Sequence, residues 1–472
     1  ENQMKNNIFQ MIVKSTICAG LILPLYISGN PIANAADKAA PVKSNEISVT
    51  ESIEAMLRQN HSIKALQENR SAVGHEIDRA KAGWGPRVDI TARGGFGRLN
   101  NSTTRDYGYD EASPHSSASL LITQPLWDGF LTRGRVRESE ATYRSLDYRV
   151  LDNATTLALD AIIAHIDVLR RAHILDLTEK HVARHKEILS KANDRASLGV
   201  DTVADVSQAQ GRFIRAKSTL SDAQAQYKIS QEAYYRLTML PAVNLGPVKL
   251  PSVMYNNANE VFEDAQKTNP KISAYMEDIK AARAVKEQAA SKYHPTLNIE
   301  AGPSYSDRNG KARMWTSEVD VAAVMRWNIF NSGADVAENK AAAARIRQSR
   351  QTLYDFYDSL RYTTEQSWAE YVSAREQHAF YLEAIEFNKA TLSAYQEQFV
   401  LGERSLLDVL DAESELYNSS TQAATAQSNA LIAAYRMRAL TARLLPDFKI
   451  STEMLKTTPY DHEPIDQVKS AK

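Results

Sequence analysis

A segment of thirteen residues occurs twice in this chain, as LGVDTVADVSQAQ at 198–210 and as LGERSLLDVLDAE at 401–413. The glycines of the two copies are 203 residues apart. Upstream, WGPRVDI at 84–90 matches YHPTLNI at 293–299 with an offset of 209 residues. Solenoid repeats have periods of about 20–50 residues, so this spacing predicts a tandem duplication of a domain and not an array of short repeats.

Each half of the duplication is predicted to begin with a helix, continue with two strands and end with two very long helices. Apolar residues at 143–175 recur at steps of three and four, which is typical of a helix. Residues 131–197 contain no proline, and residues 334–401 contain neither proline nor glycine. At about 1.5 Å per residue, each of these helices would be roughly 100 Å long. The first helix is predicted as one stretch over 51–82.

Four runs of about ten residues alternate between apolar and polar side chains, which predicts strands. The runs lie at 87–96, 116–124, 296–305 and 318–327. Ten residues is near the length of a tilted strand that crosses a bilayer. Aromatic residues suited to an interfacial girdle stand at the strand ends: Trp84, Trp127, Tyr293 and Trp327. A soluble antiparallel sheet with one wet face alternates in the same way, so both interpretations stay open on the strands alone.

The N-terminal residues predict export. A short apolar stretch follows Lys14, and residues 33–35 read Ala-Asn-Ala, the small–x–small pattern that signal peptidase accepts, so 1–35 is predicted to be a signal peptide. Cys18 is the only cysteine, and the mature chain would contain none. A net charge of −1 gives the chain no general affinity for nucleic acid. No later segment has the ~18 consecutive apolar residues of a transmembrane helix.

The repeat defines the predicted domain organisation. A first structural repeat, a second structural repeat and a polar C-terminal tail follow the signal peptide, at 36–245, 246–445 and 446–472. The tail lacks periodicity and is expected to be loosely packed or disordered. Four strands cannot close a barrel, since single-chain barrels begin at about eight strands and an open edge in lipid leaves backbone groups unpaired. Strands that enter a membrane would require oligomerisation; three copies would supply twelve strands, and two or four copies also remain open.

This organisation resembles the TolC family of outer-membrane channel proteins. The resemblance covers residues 47–445 and rests on the duplicated plan, the signal peptide and the segment LGERSLLDVLDAESELYN at 401–418, whose Leu-Gly-x-x-(Ser/Thr)-x-x-Asp-Val pattern also occurs in the first half. It implies an α+β membrane protein, a trimeric 12-stranded outer-membrane β-barrel with four strands per chain. A long α-helical coiled-coil tube would continue this barrel into the periplasm, and the two Leu-Gly segments would be the periplasmic tips of the helical hairpins.

The resemblance also implies a function. The chain would be a passive exit duct for substrates delivered by an inner-membrane ABC or proton-driven transporter through a periplasmic adaptor (membrane fusion) protein. Implied partners are two further copies of the chain and outer-membrane lipid, with no cofactor and no nucleic acid. General likeness favours type I protein secretion over multidrug or small-molecule efflux. A soluble periplasmic coiled-coil scaffold is the alternative from another class.

Ordinary turn chemistry accounts for much of each tip. Gly402 permits the positive φ that ends a helix, and Ser405 with Asp408 fits a capping box for the returning helix. The first tip has the same features at Gly199, Thr202 and Asp205. These residues therefore predict a helical hairpin turn whether or not they have a second role.

The resemblance adds roles at the tips. Asp408 and Asp411 lie on one helix face and match aspartates of a constricted entrance, where rings of carboxylates select cations. Arg404 matches an arginine that holds the closed state by pairing with an acidic residue of a neighbouring hairpin, a position that Asp205 matches. The expected adaptor contacts are Leu198, Gly199, Val200, Leu401 and Gly402. Phe399 replaces a tyrosine that some members use in the closed state, so this latch is expected to be weaker or built differently.

No enzyme site is predicted. His181 and His185 are four residues apart on a helix and could bind a metal, but no third ligand lies nearby in the sequence. A solvated helix face is the favoured interpretation of this pair, and no metal is expected. Nucleophile motifs and phosphate-binding loops are also missing from the sequence, so energy for transport would have to come from a partner.

Overall fold

The computed structural model describes residues 46–100, 102–106, 112–200, 202–252, 254–309 and 313–455. The predicted signal peptide lies outside the described residues, as does the chain beyond 455. The helices and strands follow in this order: α1 (Val49–Gln59), α2 (His61–Lys81), β1 (Arg87–Arg98), α3 (Ser102–Asp106), β2 (Ala112–Trp127), α4 (Leu131–Ser197), α5 (Val203–Thr238), α6 (Ala258–Thr268), α7 (Pro270–Ser291), β3 (Thr296–Asn309), β4 (Arg313–Arg326), α8 (Ala334–Leu401), α9 (Leu406–Leu440) and α10 (Leu444–Asp447).

The long helices begin and end where the sequence predicts. α4 has 67 residues and α8 has 68, and the returning helices α5 and α9 have 36 and 35. The absence of proline from the interiors of α4 and α8 leaves every backbone N–H available for the helical ladder. The uninterrupted helices are therefore confirmed, and each half of the chain ends in one long hairpin, α4–α5 in the first half and α8–α9 in the second.

The single helix predicted over 51–82 is wrong, because it is two helices that meet at Asn60. The Asn60 backbone is extended, and its side-chain oxygen accepts a hydrogen bond from the Ser62 N–H at 2.8 Å. Asn269 joins α6 to α7 in the same way, with Pro270 at the first helical position. Apolar spacing continues across both breaks, so a prediction based on spacing overlooked the capping asparagines.

The four strands form one antiparallel sheet in the order β1-β2-β3-β4. The β2–β3 pairing joins the two halves of the chain, and its register shifts between Pro125 and Trp127. Within the described residues, β1 and β4 are the edge strands. The four predicted strands are confirmed, and several apolar side chains of the sheet are well exposed in the single chain: Val88, Ile90, Phe96, Val319, Val321 and Met325.

The long helices pack side by side in the order α5–α4–α9–α8, and α7 packs against both α4 and α8. The first hairpin therefore meets the second mainly through α4 and α9. Small side chains on α9 let the neighbouring helices approach closely, and the buried ones are Ala412, Ala423, Ala424, Ala426, Ala430, Ala433 and Ala434. Across the described parts of the chain, none of the helices has the length and apolarity needed to span a bilayer.

The start of the predicted tail, residues 446–455, packs against the rest of the chain, which contradicts the expectation of a loose tail for these ten residues. Ile450 and Leu455 are buried in the same cluster as Ile53 and Ile162. Asp447 also accepts two hydrogen bonds from the guanidinium of Arg438. Isolated apolar residues leave no periodic signal, so the sequence analysis missed them.

Candidate functional site at the hairpin tips

The first tip is a capped helical turn. Gly199 has φ +79°, and apart from its chain neighbours no described residue lies within 4 Å of a Cβ placed there. The Thr202 hydroxyl accepts from the Asp205 N–H at 3.2 Å, and the Asp205 carboxylate accepts from the Thr202 N–H at 3.0 Å. The predicted capping box is therefore confirmed. Hydrogen bonds from the Thr202 hydroxyl and backbone hold the pKa of Asp205 below its usual value.

The second tip has half of this arrangement. Gly402 has φ +82°, and the Glu403 N–H donates to the Gln398 carbonyl across the end of α8. The Ser405 hydroxyl accepts from the Asp408 N–H at 3.2 Å, as predicted. The Asp408 carboxylate accepts from the Ser405 hydroxyl at 2.9 Å instead of from its backbone N–H. Asp408 is thus held at the start of α9.

Arg404 lies against its own hairpin in the single chain. Its Nε donates to Gln398 Oε1 at 3.1 Å, and its guanidinium lies 4.3 Å from the Tyr395 ring centroid. Its Nη1 is 3.8 Å from Asp408 Oδ2. The latch between Arg404 and Asp205 would join different hairpins, and it stays a prediction.

Asp411 is paired across the two hairpins. Arg212 of α5 donates to Asp411 Oδ1 at 2.9 Å, with the two side chains 30% and 56% exposed. The two predicted entrance carboxylates therefore differ, because Asp408 is held within its own tip whereas Asp411 is partly neutralised by a cation of the first hairpin. Arg212 was missed by the sequence analysis, and no local pattern marks it.

The helix ends beside the tips are also joined. The Arg195 guanidinium lies 4.5 Å from the ring centroid of Phe399, and Arg195 Nη1 donates to the Phe399 carbonyl at 3.0 Å. Phe399 is buried. A cation–π contact thus connects the end of α4 to the end of α8.

Both tips expose apolar side chains. Five of them are each more than 60% exposed: Leu198, Val200, Val203, Val400 and Leu401. Gly199 and Gly402 have open space beside their Cα atoms. An exposed apolar surface of this kind is typical of a protein–protein contact. The predicted adaptor residues all lie on this exposed surface: Leu198, Gly199, Val200, Leu401 and Gly402.

The expectation of a solvated face for His181 and His185 is wrong, because both side chains are buried. His181 Nδ1 donates to Glu413 Oε1 at 3.2 Å, and Arg184 donates to Glu413 Oε2 at 2.9 Å. Burial, reinforced by His181, lowers the pKa of His185 to about 4, while Glu413 opposes this shift. Among the residues that the structure describes, no group of three or more His, Cys, Asp or Glu side chains is arranged to hold a metal ion.

The sheet presents an apolar surface with aromatic residues at its rim. Four exposed aromatic side chains occupy the strand ends, as predicted: Trp84, Trp127, Tyr293 and Trp327. The side chain of Gln124 donates to the Trp84 carbonyl at 2.9 Å and thereby connects β2 to the turn before β1. Exposed apolar surface of this kind is typical of a contact with another protein or with a membrane.

Comparison with known proteins identifies the family. The sequence model of the outer membrane efflux proteins matches residues 52–238 and 261–443. The chain is 22% identical to the outer membrane efflux protein BepC of Brucella suis, over 73% of this chain and 76% of BepC. It is 23% identical to the outer membrane protein TolC of Escherichia coli, over 79% of this chain and 78% of TolC.

Two further comparisons extend this result. The chain is 23% identical to the proteases secretion protein PrtF of Dickeya chrysanthemi, over 78% of this chain and 82% of PrtF. The solved structure of the outer-membrane channel OprN has the same fold, with a TM-score of 0.71 at 16% identity over 84% of this chain and 89% of OprN. Because the family model matches most of its length, the chain belongs to the outer membrane efflux protein family, the family of TolC and BepC, and is an outer-membrane channel protein and not an enzyme.

Proposed function

We propose that the chain is one third of a homotrimeric exit duct, in which twelve strands close a β-barrel in the outer membrane and the helices continue it as a coiled-coil tube in the periplasm. The observation that carries this proposal is the open four-stranded sheet, with β1 and β4 at its edges and an exposed apolar face. The helices repeat this arrangement, with α5 at one side and α8 at the other. Pairing β4 of one copy with β1 of the next removes every open edge, and a head-to-tail contact of this kind closes into a ring.

The two halves of the chain are proposed to be a tandem duplication. Each half contributes one pair of strands and one long hairpin, and the family model matches each half separately. A trimer would then present six similar hairpins around its axis. Substrates would pass along this axis after delivery by an inner-membrane transporter of the ABC or proton-driven class through a periplasmic adaptor protein.

Type I protein secretion is the proposed role, and its support is the relative PrtF, whose name assigns it to the secretion of proteases. Small-molecule efflux is the second candidate, and the name of BepC favours it. The soluble scaffold is not retained, because the family consists of outer-membrane channels. Export of a labelled protein or of a dye by cells that express the chain with each class of transporter would separate the two candidates.

The tips are proposed to form the periplasmic entrance. Asp408 and Asp411 of three copies would line the constriction, and Arg404 with Asp205 would latch neighbouring hairpins in the closed state. The exposed apolar surface of the tips would contact the adaptor through Leu198, Gly199, Val200, Leu401 and Gly402. The support for this assignment is that both carboxylates and all five contact residues lie at the hairpin ends and on accessible surface.

Single-channel conductance of the purified trimer in a planar bilayer tests this proposal. We expect cation-selective steps that lose their selectivity in the Asp408→Ala/Asp411→Ala double variant. The matched control is Asp408→Glu/Asp411→Glu, which keeps the charges and should stay selective. Selective steps in the alanine variant would move the constriction elsewhere, and folded protein that never conducts, even after Arg404→Ala, would refute the duct.

A further inference from the structure

A polar cluster is buried between the two hairpins, and the entrance chemistry proposed above makes no use of it. We define the inter-hairpin cluster as five residues: His181, Arg184 and His185 of α4 with Glu413 and Tyr417 of α9. Glu413 is fully buried, and both histidines are nearly so. Glu413 lies only two residues after Asp411, so the cluster stands directly behind the proposed entrance.

Glu413 is the centre of the cluster. Its carboxylate accepts from Arg184 at 2.9 Å and from His181 at 3.2 Å. The Tyr417 ring stacks on His181 at 4.3 Å between centroids, and its hydroxyl is 3.0 Å from Thr178 Oγ1. One carboxylate on α9 therefore holds two side chains of α4, which fixes the register between the two hairpins.

His185 is the unbalanced member. Its ring meets that of His181 edge-on at 4.4 Å, and its buried Nδ1 has no hydrogen-bond partner among the described residues. The titratable and charged groups that act on it are His181 and Arg184 on α4, Arg212 on α5 and Glu413 on α9. Two of these groups, Arg184 and Arg212, are cations, and the carboxylate of Glu413 already accepts from Arg184 and His181. A proton added to His185 therefore gains no carboxylate of its own within this cluster.

The surroundings make this arrangement unusual for a structural contact. The interface around the cluster is otherwise apolar, with the buried side chains Ile188, Leu189, Ala192, Leu410 and Leu416. A buried ion pair is often no more stabilising than apolar side chains of the same volume, because both charges lose their hydration. Buried ionic groups are best attested where they set a register or a switch, and this cluster lies where the hairpins meet.

We propose that the inter-hairpin cluster is a proton-sensitive lock, which holds the second hairpin against the first at neutral pH and releases it on acidification, so that the entrance widens. The proposal rests on the proposed function, because it assigns regulation to the same entrance. In the locked state His185 is neutral, so its burial does not require a charge to leave water. Protonation places a further positive charge beside Arg184 and Arg212, and separation of α4 from α9 relieves this repulsion by admitting water.

The expected size of the effect follows from proton linkage. The locked state holds the pKa of His185 at about 4, and a released, solvated His185 would return to its ordinary value of 6.5. Acidification from pH 7 to below 4 then raises the ratio of released to locked hairpins by up to roughly 300-fold. Most of this change falls between pH 6.5 and 4, because only there do the two states bind different numbers of protons.

The test compares channel opening at pH 7, 6, 5 and 4.5 for the full trimer in a planar bilayer. We expect the open fraction to rise at least tenfold as pH falls, and His185→Gln to abolish most of the rise. The matched control is His173→Gln, because His173 is an exposed histidine of the same helix. Its response should equal that of the unmodified trimer, because both proteins keep His185 and the same entrance carboxylates.

A second variant keeps the test decisive if His185→Gln does not assemble. Glu413→Gln preserves volume but removes the buried anion, and we expect it to open at pH 7 as the unmodified trimer opens in acid. A pH response that His185→Gln retains, or a Glu413→Gln channel that stays closed at pH 7, would overturn the lock while leaving the duct intact. Trimers that never conduct under any condition would instead overturn the proposed function.

Discussion

Replacement of His185 by leucine should remove much of the acid sensitivity of the folded protein. His185 is 2% exposed, and burial lowers its pKa to about 4 from an ordinary value of 6.5. The unfolded chain therefore binds a proton at this residue between pH 6.5 and 4, whereas the folded chain does not. Stability due to this group is fully present above pH 6.5 and is lost as pH falls through this window.

The magnitude follows from the same two values. Between pH 7 and pH 5, the difference in proton binding costs about 2 kcal/mol of unfolding free energy per chain, and the limit below pH 4 is about 3.4 kcal/mol. Leucine has no proton to gain, so this loss disappears in the variant. At pH 7 the variant should be at least as stable as the parent, because the substitution also removes a buried nitrogen without a partner among the described residues, a defect of about 1–3 kcal/mol.

Guanidinium unfolding of the detergent-solubilised protein, followed by far-ultraviolet circular dichroism at pH 7, 6 and 5, measures this difference directly. The parent and the control His173→Leu should lose stability in parallel as pH falls, and His185→Leu should lose about 2 kcal/mol less per chain by pH 5. Equal losses in all three proteins would refute the assignment, because they would mean that His185 titrates alike in the folded and unfolded chains.

Two further substitutions test contacts at opposite ends of the molecule. Arg212→Ala frees Asp411 from its 2.9 Å ion pair. The reversal potential of the channel under a salt gradient should then shift toward stronger cation selectivity. An unchanged reversal potential would mean that Asp411 does not line the conducting path. Gly302→Ala would place a Cβ 1.8 Å from the Leu120 carbonyl oxygen, so β3 must separate from β2 and the oligomer should dissociate at a lower temperature on gels. Gly94→Ala, which has open space beside it, should leave that temperature unchanged.

The local structure of this chain was largely predictable from its sequence. Continuous helical spacing without proline predicts the bounds of α4 and α8, and period-two alternation predicts all four strands. Gly402 and Ser405 likewise predict the end of one helix and the start of the next. The failure to predict the helix break at Asn60 also concerned local structure. Asparagine is a common N-cap residue, but apolar spacing that continues through Asn60 does not reveal the cap.

Contacts between distant parts of the chain decided the candidate site. Helical spacing shows that His181 and His185 share a face, but it does not show that Glu413, 232 residues from His181, covers that face. The partnership of Arg212 with Asp411 was hidden for the same reason.

The sequence by itself therefore determined the helices, the strands, the turns and the family to which the chain belongs. Only the tertiary structure decided which charges are buried, which carboxylate is neutralised and which apolar residues near the C-terminus complete a core. The physical reason is that backbone hydrogen bonding and side-chain periodicity act over a few residues, whereas burial and electrostatic pairing depend on whichever helix packs across the interface.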